Sequence, residues 1–530
     1  MKRFTAVLLG LGTLSISAQN GTSALTKEQV LDRWAAALGG RGKLEQIRTV
    51  HSRGSVETGG VKGTFERWST WRGEFRGTLD ISGAIHQLNI FDGKQGWVMD
   101  STGAVHELSA GNFRSAVSGA YEASESFLFP GRLAGTVTFS GSDANQAAYV
   151  MRLEPAGGNP VTVFLDENTF LPTREETAGP LGNNRSSTIV AWREVAGLKI
   201  PARVIQSTGD PKFDIAITTE QVEFNAPLAA ELFRKPAEAA AQVHFTNGSK
   251  QAVIPVEIYA QHVFVPARVN GSETGWFFLD SGAGASVITK AWAEKIGLPS
   301  EGNMRAVGAA GATSLALAKN VVLSLPGVEI PMPSITVLDA AAGLPSLGRH
   351  WEGLLGYDIL SRLVLRLDYE RDEITLIDPA VFVPGDRAAA LPLTFLGNWP
   401  LIPAKIALPG RDPIETKCFI DTGAGGLMLS TTFSTANHVQ ETAGKNASTS
   451  IYGAGGGSQR FEAQLTSLQL GPFLVRNPVA GFSPGTKEGA LASPDIGAII
   501  GGEILQRFTV TFDYPHHRIL LDPNSRFPPP

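Results

Sequence analysis

Trp276-Phe277-Phe278-Leu279-Asp280-Ser281-Gly282-Ala283-Gly284-Ala285-Ser286 runs apolar, then sets a carboxylate, a hydroxyl and a glycine in a row. An aspartate directly after Phe-Phe-Leu stands at the end of a strand that the pattern predicts to be buried, where an unpaired charge is costly. The arrangement returns 141 residues later as Cys418-Phe419-Ile420-Asp421-Thr422-Gly423-Ala424-Gly425-Gly426. Asp-Ser/Thr-Gly alone is a weak signal, and its plain reading is an Asp turn with a helpful hydroxyl. Here that reading must account for two copies, each after an apolar strand. Each is also followed by an apolar-apolar-Gly segment, Leu354-Leu355-Gly356 and Ile499-Ile500-Gly501.

The copies sit inside a longer repeat. Phe264-Val265-Pro266-Ala267-Arg268-Val269 is echoed by Leu401-Ile402-Pro403-Ala404-Lys405-Ile406. After the corners come glycine-rich segments, Val307-Gly308-Ala309-Ala310-Gly311 and Tyr452-Gly453-Ala454-Gly455-Gly456. The apolar-apolar-Gly segments follow, and then Leu365-Arg366-Leu367-Asp368-Tyr369 and Val510-Thr511-Phe512-Asp513-Tyr514. Five matches in one order point to duplication. Each unit is expected to end in a hairpin, at 368–378 and 513–522.

Two carboxylates brought face to face cannot both ionise easily, so such a pair shares a proton. The ionised member takes a proton from a water held between them, and the protonated member donates to a carbonyl oxygen. This makes Asp280 and Asp421 the candidate catalytic pair. Gly282 and Gly423 permit a tight turn and close backbone approach. Ser281 and Thr422 supply hydroxyls able to brace the corners across an interface, and Gly356 and Gly501 pack behind them. The chemistry calls for no cofactor and no metal. His516-His517 reads as a solvated turn pair rather than a metal site. Gly453-Ala454-Gly455-Gly456-Gly457 lacks the Lys-Ser/Thr of a phosphate loop.

On these residues the stretch from about 250 to 525 resembles the retropepsin-type aspartic proteases, with both lobes in one chain as in pepsin. The resemblance implies a bilobal, duplicated acid-protease β-barrel domain, a peptide or protein substrate, an active site formed within one chain, and therefore a monomer. It also implies that Val307, Gly308, Tyr452 and Gly453 belong to flaps, hairpins that close over substrate. Tyr452 is a candidate flap aromatic where the first copy has Val307, so which flap closes stays open.

The first half of the chain reads differently. Thr26-Lys27-Glu28-Gln29 has the form of a capping box, and Val30, Leu31, Trp34 and Leu38 fall on one helical face up to Gly39-Gly40. A short helical piece is expected over 43–47 and a longer one over 111–125. From 49 to about 224 the period shifts to β-rich segments separated by turn signals such as Asp92-Gly93. The order of a helix and then strands, with Asp92-Gly93-Lys94-Gln95-Gly96-Trp97 and Asp166-Glu167-Asn168-Thr169-Phe170-Leu171-Pro172, is similar to that of the periplasmic lipoprotein carriers and their outer-membrane receptors. That resemblance implies an antiparallel β half-barrel with helices over about 25–235. Its interior would be an apolar cavity or a presenting surface, or the domain is purely structural.

Met1-Lys2-Arg3, the apolar run Phe4 to Leu14 and Ser15-Ile16-Ser17-Ala18 read as an export signal cleaved near Ala18. The plain alternative is a short buried element. The run is too short to span a bilayer. The single cysteine, Cys418, lies in an apolar strand and reads as a small buried hydrophobe. A net charge of −5 and a pI near 6.0 give no case for nucleic acid. The expected organisation is a signal peptide over 1–18, an N-terminal β domain over 19–238 and a linker over 239–250, then lobes over 251–383 and 384–530. The chain as a whole is mainly β. The expected function is that of a periplasmic or secreted aspartic endopeptidase. Two other readings fit the same residues: a non-catalytic peptide-binding module with a protease-like fold, and a lipid- or lipoprotein-binding periplasmic protein.

Overall fold

A computed structural model describes residues 25–239, 242–246, 248–308, 312–339, 349–442, 447–453 and 456–527, with the backbone alone for 442, 447–453 and 456–458. The expected signal peptide lies outside the described residues. The chain is mainly β, with large curled sheets and a few short helices.

The capping box forms as read. The Thr26 hydroxyl accepts from the Gln29 amide at 3.2 Å, and the Gln29 side chain accepts from the Thr26 amide at 2.9 Å, opening the helix Lys27–Ala37. A second helix covers Arg41–Glu45, two residues earlier than expected, because its first turn starts directly on Gly40. The longer helix covers Ala110–Ala123. These helices accompany one 13-stranded antiparallel sheet over residues 49–224. Its middle is the pairing of Thr49–Thr58 with Ile215–Phe224, so two meanders run outward from the strand that begins the sheet and the strand that closes it. Trp34, Tyr121, Phe127, Leu153 and Leu165 fill the space between helices and sheet.

After 250 the same kind of pairing occurs at both corners. The strand Gly275–Leu279, which leads to Asp280, runs parallel to Gly353–Leu355, with Phe278 opposite Leu354. Ile414–Ile420, which leads to Asp421, runs parallel to Ala498–Ile500, with Phe419 opposite Ile499. The two expected hairpins form as Val364–Asp368 with Glu373–Ile377, and Phe508–Asp513 with Arg518–Pro523. They meet edge to edge through Leu367 and Val510 in a six-stranded sheet to which each half contributes three strands. One continuous core runs through both halves, with Phe277, Ile420, Phe508 and Phe512 nearly solvent-free. Sharing a sheet and a core fixes the two corners relative to one another.

The N-terminal sheet docks on both halves. Val61 and Ile81 pack with Met304 and Leu317, and the Gly59 carbonyl accepts from the Asn303 amide at 2.6 Å. Arg114 forms a two-pronged pair with Asp495 at 2.9 and 2.8 Å. Within the stretch read as a linker, His244–Phe245 pairs with the strand Val328–Leu338. No helix among the described residues is long and apolar enough to cross a membrane.

Candidate active site

Asp280 and Asp421 each stand one residue past a buried parallel strand. Their backbone amides donate to the carbonyls of Leu355 at 2.9 Å and Ile500 at 3.0 Å, which extends the parallel ladder by one rung. Each then turns: the Gly282 amide donates to Asp280 Oδ1 and the Gly423 amide to Asp421 Oδ1, both at 2.9 Å. One oxygen of each carboxylate is thereby fixed. Each carboxyl packs against the glycine of the opposite corner, and the two lie close enough to perturb one another's ionisation.

The hydroxyls hold the corners together. The Ser281 amide donates to Thr422 Oγ1 at 2.9 Å, and the Thr422 amide donates to Ser281 Oγ at 3.0 Å. Each hydroxyl then donates onward to the opposite strand, Ser281 to the Ile420 carbonyl at 3.0 Å and Thr422 to the Leu279 carbonyl at 2.8 Å. Both side chains are fully buried, so all four bonds are made away from water, where leaving a group unpaired costs most.

The glycines are required by proximity. A Cβ on Gly282 would lie 2.6 Å from Cγ of Asp421, and one on Gly423 would lie 2.6 Å from Cγ of Asp280. Behind them, a Cβ on Gly356 would strike the Ala285 backbone at 2.7 Å, and one on Gly501 the Ala424 carbonyl at 2.3 Å. Both apolar-apolar-Gly segments press directly on the turns that carry the aspartates.

Burial, then the facing Asp421, holds the Asp280 carboxyl well above the usual carboxylate range. Burial also raises Asp421. There the Asp280 side chain, the Gly423 amide and the charge of His262 act in the opposite sense. The pair therefore holds one proton between its two members over a wide pH range.

The pair lies on the floor of a cleft of about 760 Å³. Its walls are largely apolar, with Phe278, Leu354, Trp399, Phe419 and Met428 among them, and His262, Arg460 and Glu503 adding charge. Val307 and Gly308 line the cleft at the end of a hairpin formed by Glu301–Val307 and Ala312–Leu325. Tyr452 and Gly453 end the matching hairpin of the second half, opposite Gly457 and Gly456; the Tyr452 side chain lies outside the described residues. Cys418 is fully buried, and burial pushes its thiol up to about 12. Among the described residues no three His, Cys, Asp or Glu side chains group to hold a metal ion. His516 instead pairs with Asp513 at 2.6 Å.

Sequence reading missed several residues here. His262 contacts the second corner, with a ring nitrogen 3.0 Å from the Gly423 carbonyl. Asn398 donates to the Gly284 carbonyl at 2.9 Å. The Ser286 amide donates to buried Asp358 at 2.9 Å. Asp358 was within reach: it lies two positions past Gly356, where the repeat has Glu503 past Gly501.

Residues 265–359 match the family model described as Aspartyl protease. The match holds Asp280, Ser281, Gly282 and Gly356 and stops before the second corner. Solved structures similar in part include an aspartic proteinase from Irpex lacteus, at 14% identity and TM-score 0.36 over 52% of this chain and 98% of that one. Another is a putative outer membrane lipoprotein-sorting protein domain from Vibrio parahaemolyticus, at 12% identity and TM-score 0.28 over 39% of this chain and 97% of that one. A DUF1329 family protein from Desulfovibrio piger aligns at 10% identity and TM-score 0.28, over 39% of this chain and 96% of that one. No curated protein matches the chain.

Proposed function

We propose that the chain is an exported aspartic endopeptidase in which Asp280 and Asp421 activate a water against a peptide bond. The observation that carries this reading is the packing of each carboxyl against the glycine of the opposite corner, which sets the two aspartates together at the floor of an apolar cleft. The Aspartyl protease match over the first corner supports it.

The ionised carboxylate takes a proton from water as the water oxygen bonds to the carbonyl carbon. The protonated carboxyl gives its proton to the carbonyl oxygen, leaving a gem-diol. Collapse breaks the carbon–nitrogen bond: a gem-diol hydroxyl returns its proton to the ionised carboxylate while the other carboxyl protonates the departing amine, so the pair ends with one shared proton. Ser281 and Thr422 keep the carboxyls at bonding distance, and Gly356 and Gly501 keep the turns from drifting. The hairpins ending at Val307-Gly308 and Tyr452-Gly453 cover an extended peptide, whose apolar side chains fill the cleft walls. On this reading residues 251–383 and 384–530 are the two lobes.

Digestion of a mixed peptide library in ¹⁸O-labelled water tests the chemistry. The expected result is cleavage with one labelled oxygen in each new carboxyl, unchanged by chelators and without a trapped acyl-enzyme. Absence of cleavage between pH 3 and 7, or a covalent intermediate, would overturn the reading.

A further inference from the structure

Among the equivalent positions at which the two halves of the site differ, one sets an ionisable ring against an indole. His262 closes the hairpin before the first corner, opposite Tyr259. Trp399 closes the matching hairpin before the second, opposite Leu396. The repeat thus sets an ionisable ring on one side of the dyad and an indole on the other.

His262 is only 8% exposed. One ring nitrogen lies 2.8 Å from the Ala260 carbonyl and the other 3.0 Å from the Gly423 carbonyl. A carbonyl oxygen only accepts, so both contacts are hydrogen bonds only when both ring nitrogens carry hydrogen. That form is the imidazolium. A neutral ring would set a bare nitrogen against a carbonyl oxygen in a buried place. The second contact also lands on the corner Asp421-Thr422-Gly423, across the interface between the halves.

We propose that His262 divides the roles in the dyad: held as an imidazolium against the Gly423 carbonyl, it keeps the negative charge on Asp421 and leaves the proton on Asp280. The inference rests on the peptidase reading above and adds to it which carboxyl does what. Asp421 is the base that takes the proton from water, and Asp280 is the acid that donates to the carbonyl oxygen. The His262 charge acts on Asp421 in this sense. Several other groups bear on the ring. Asp280, Asp421 and Glu503 line the cleft together with it, and the Phe278 ring meets it edge-on. Arg460 lines the same cleft. Tyr514 is buried, with its hydroxyl raised by burial and by both aspartates, so it stays neutral. His262 is therefore a positioning residue for charge.

The test compares wild type with His262→Gln, which retains polarity and removes the charge. Loss of a nearby cation makes Asp421 harder to ionise. The acid limb of the kcat/KM profile is expected to move to higher pH by about one unit, with activity below that limb falling roughly tenfold. His262→Lys is expected to restore part of the shift. An acid limb that stays in place in His262→Gln, whatever the change in rate, would overturn the proposal, because a purely structural role lowers the rate without moving the limb. A readout independent of turnover separates this from the peptidase reading. In an Asp280→Asn background, the ¹³C carboxyl resonance of Asp421 is expected to titrate at higher pH when His262 is also Gln. Equal titration with and without His262 would sink the proposal even if wild type cleaves peptides. A shift would support it even if wild type cleaves none.

Discussion

The Tyr357 hydroxyl donates to Asp100 Oδ2 at 2.6 Å, which ties the N-terminal sheet to the residue directly after Gly356. On the other half Arg114 grips Asp495, a few residues before Gly501. The N-terminal part of the chain thus contacts both halves near the segments that press on the aspartate turns, through Asp100 beside its sheet and Arg114 on the helix Ala110–Ala123. Tyr357→Phe removes the donor from a partly buried carboxylate and is expected to cost about 1–3 kcal/mol, read from the denaturant midpoint. An unchanged midpoint would mean that this contact does not join the two parts.

Acid should loosen the same junction. His106 is 4% exposed and hydrogen-bonds the Tyr357 hydroxyl through Nε2. Since that hydroxyl donates to Asp100, Nε2–H is the donor to Tyr357, and Nδ1 is left bare with no partner. Protonation would put a hydrogen on Nδ1 with no acceptor, and burial pushes the ring down to about 4. Between that value and the ordinary 6.5 the unfolded chain binds the extra proton, so stability falls as pH drops through this window, by up to about 3 kcal/mol. Melting temperatures from pH 7 to 4 should fall more steeply in wild type than in His106→Gln. Parallel curves would remove His106 from the acid response.

The reciprocal Ser281–Thr422 bonds predict a stability cost on each side. Ser281→Ala and Thr422→Val each leave a buried amide without its acceptor, at a cost of about 1–3 kcal/mol. Because the two hydroxyls serve separate backbone groups, the double variant should lose about the two single losses combined, read from denaturant midpoints. Single variants as stable as wild type would mean that the corners are held by packing alone.

Gly282→Ala should leave a folded but nearly inactive protein. The added Cβ at 2.6 Å from the Asp421 carboxyl carbon forces the pair apart, and a displacement near 1 Å costs on the order of a hundredfold in rate. Circular dichroism checks the fold and peptide cleavage checks the rate. Full activity would mean that the carboxyls need not touch.

The corners were legible in the sequence because everything that makes them is local and occurs twice. An apolar strand, an acid, a hydroxyl and a glycine follow one another, and the apolar-apolar-Gly partner recurs in order. His262 was not legible. It lies well before Asp280 and acts on the other corner, and only the hairpin register with Tyr259 aims it there. The docking of the N-terminal sheet was equally hidden, since Arg114 and Asp495 are 381 residues apart and each is unremarkable where it stands. The strands of that sheet could be read from their period, but their partners across the molecule could not. The second short helix was placed two residues late because its start depends on Gly40 rather than on apolar spacing.

Digestion of one peptide library by wild type, Asp280→Asn and Asp421→Asn, side by side between pH 3 and 7, tests the central claim most directly. Cleavage by wild type and its loss in both variants, with all three equally folded, is the predicted result. Cleavage that survives in either variant would contradict a site built from the pair.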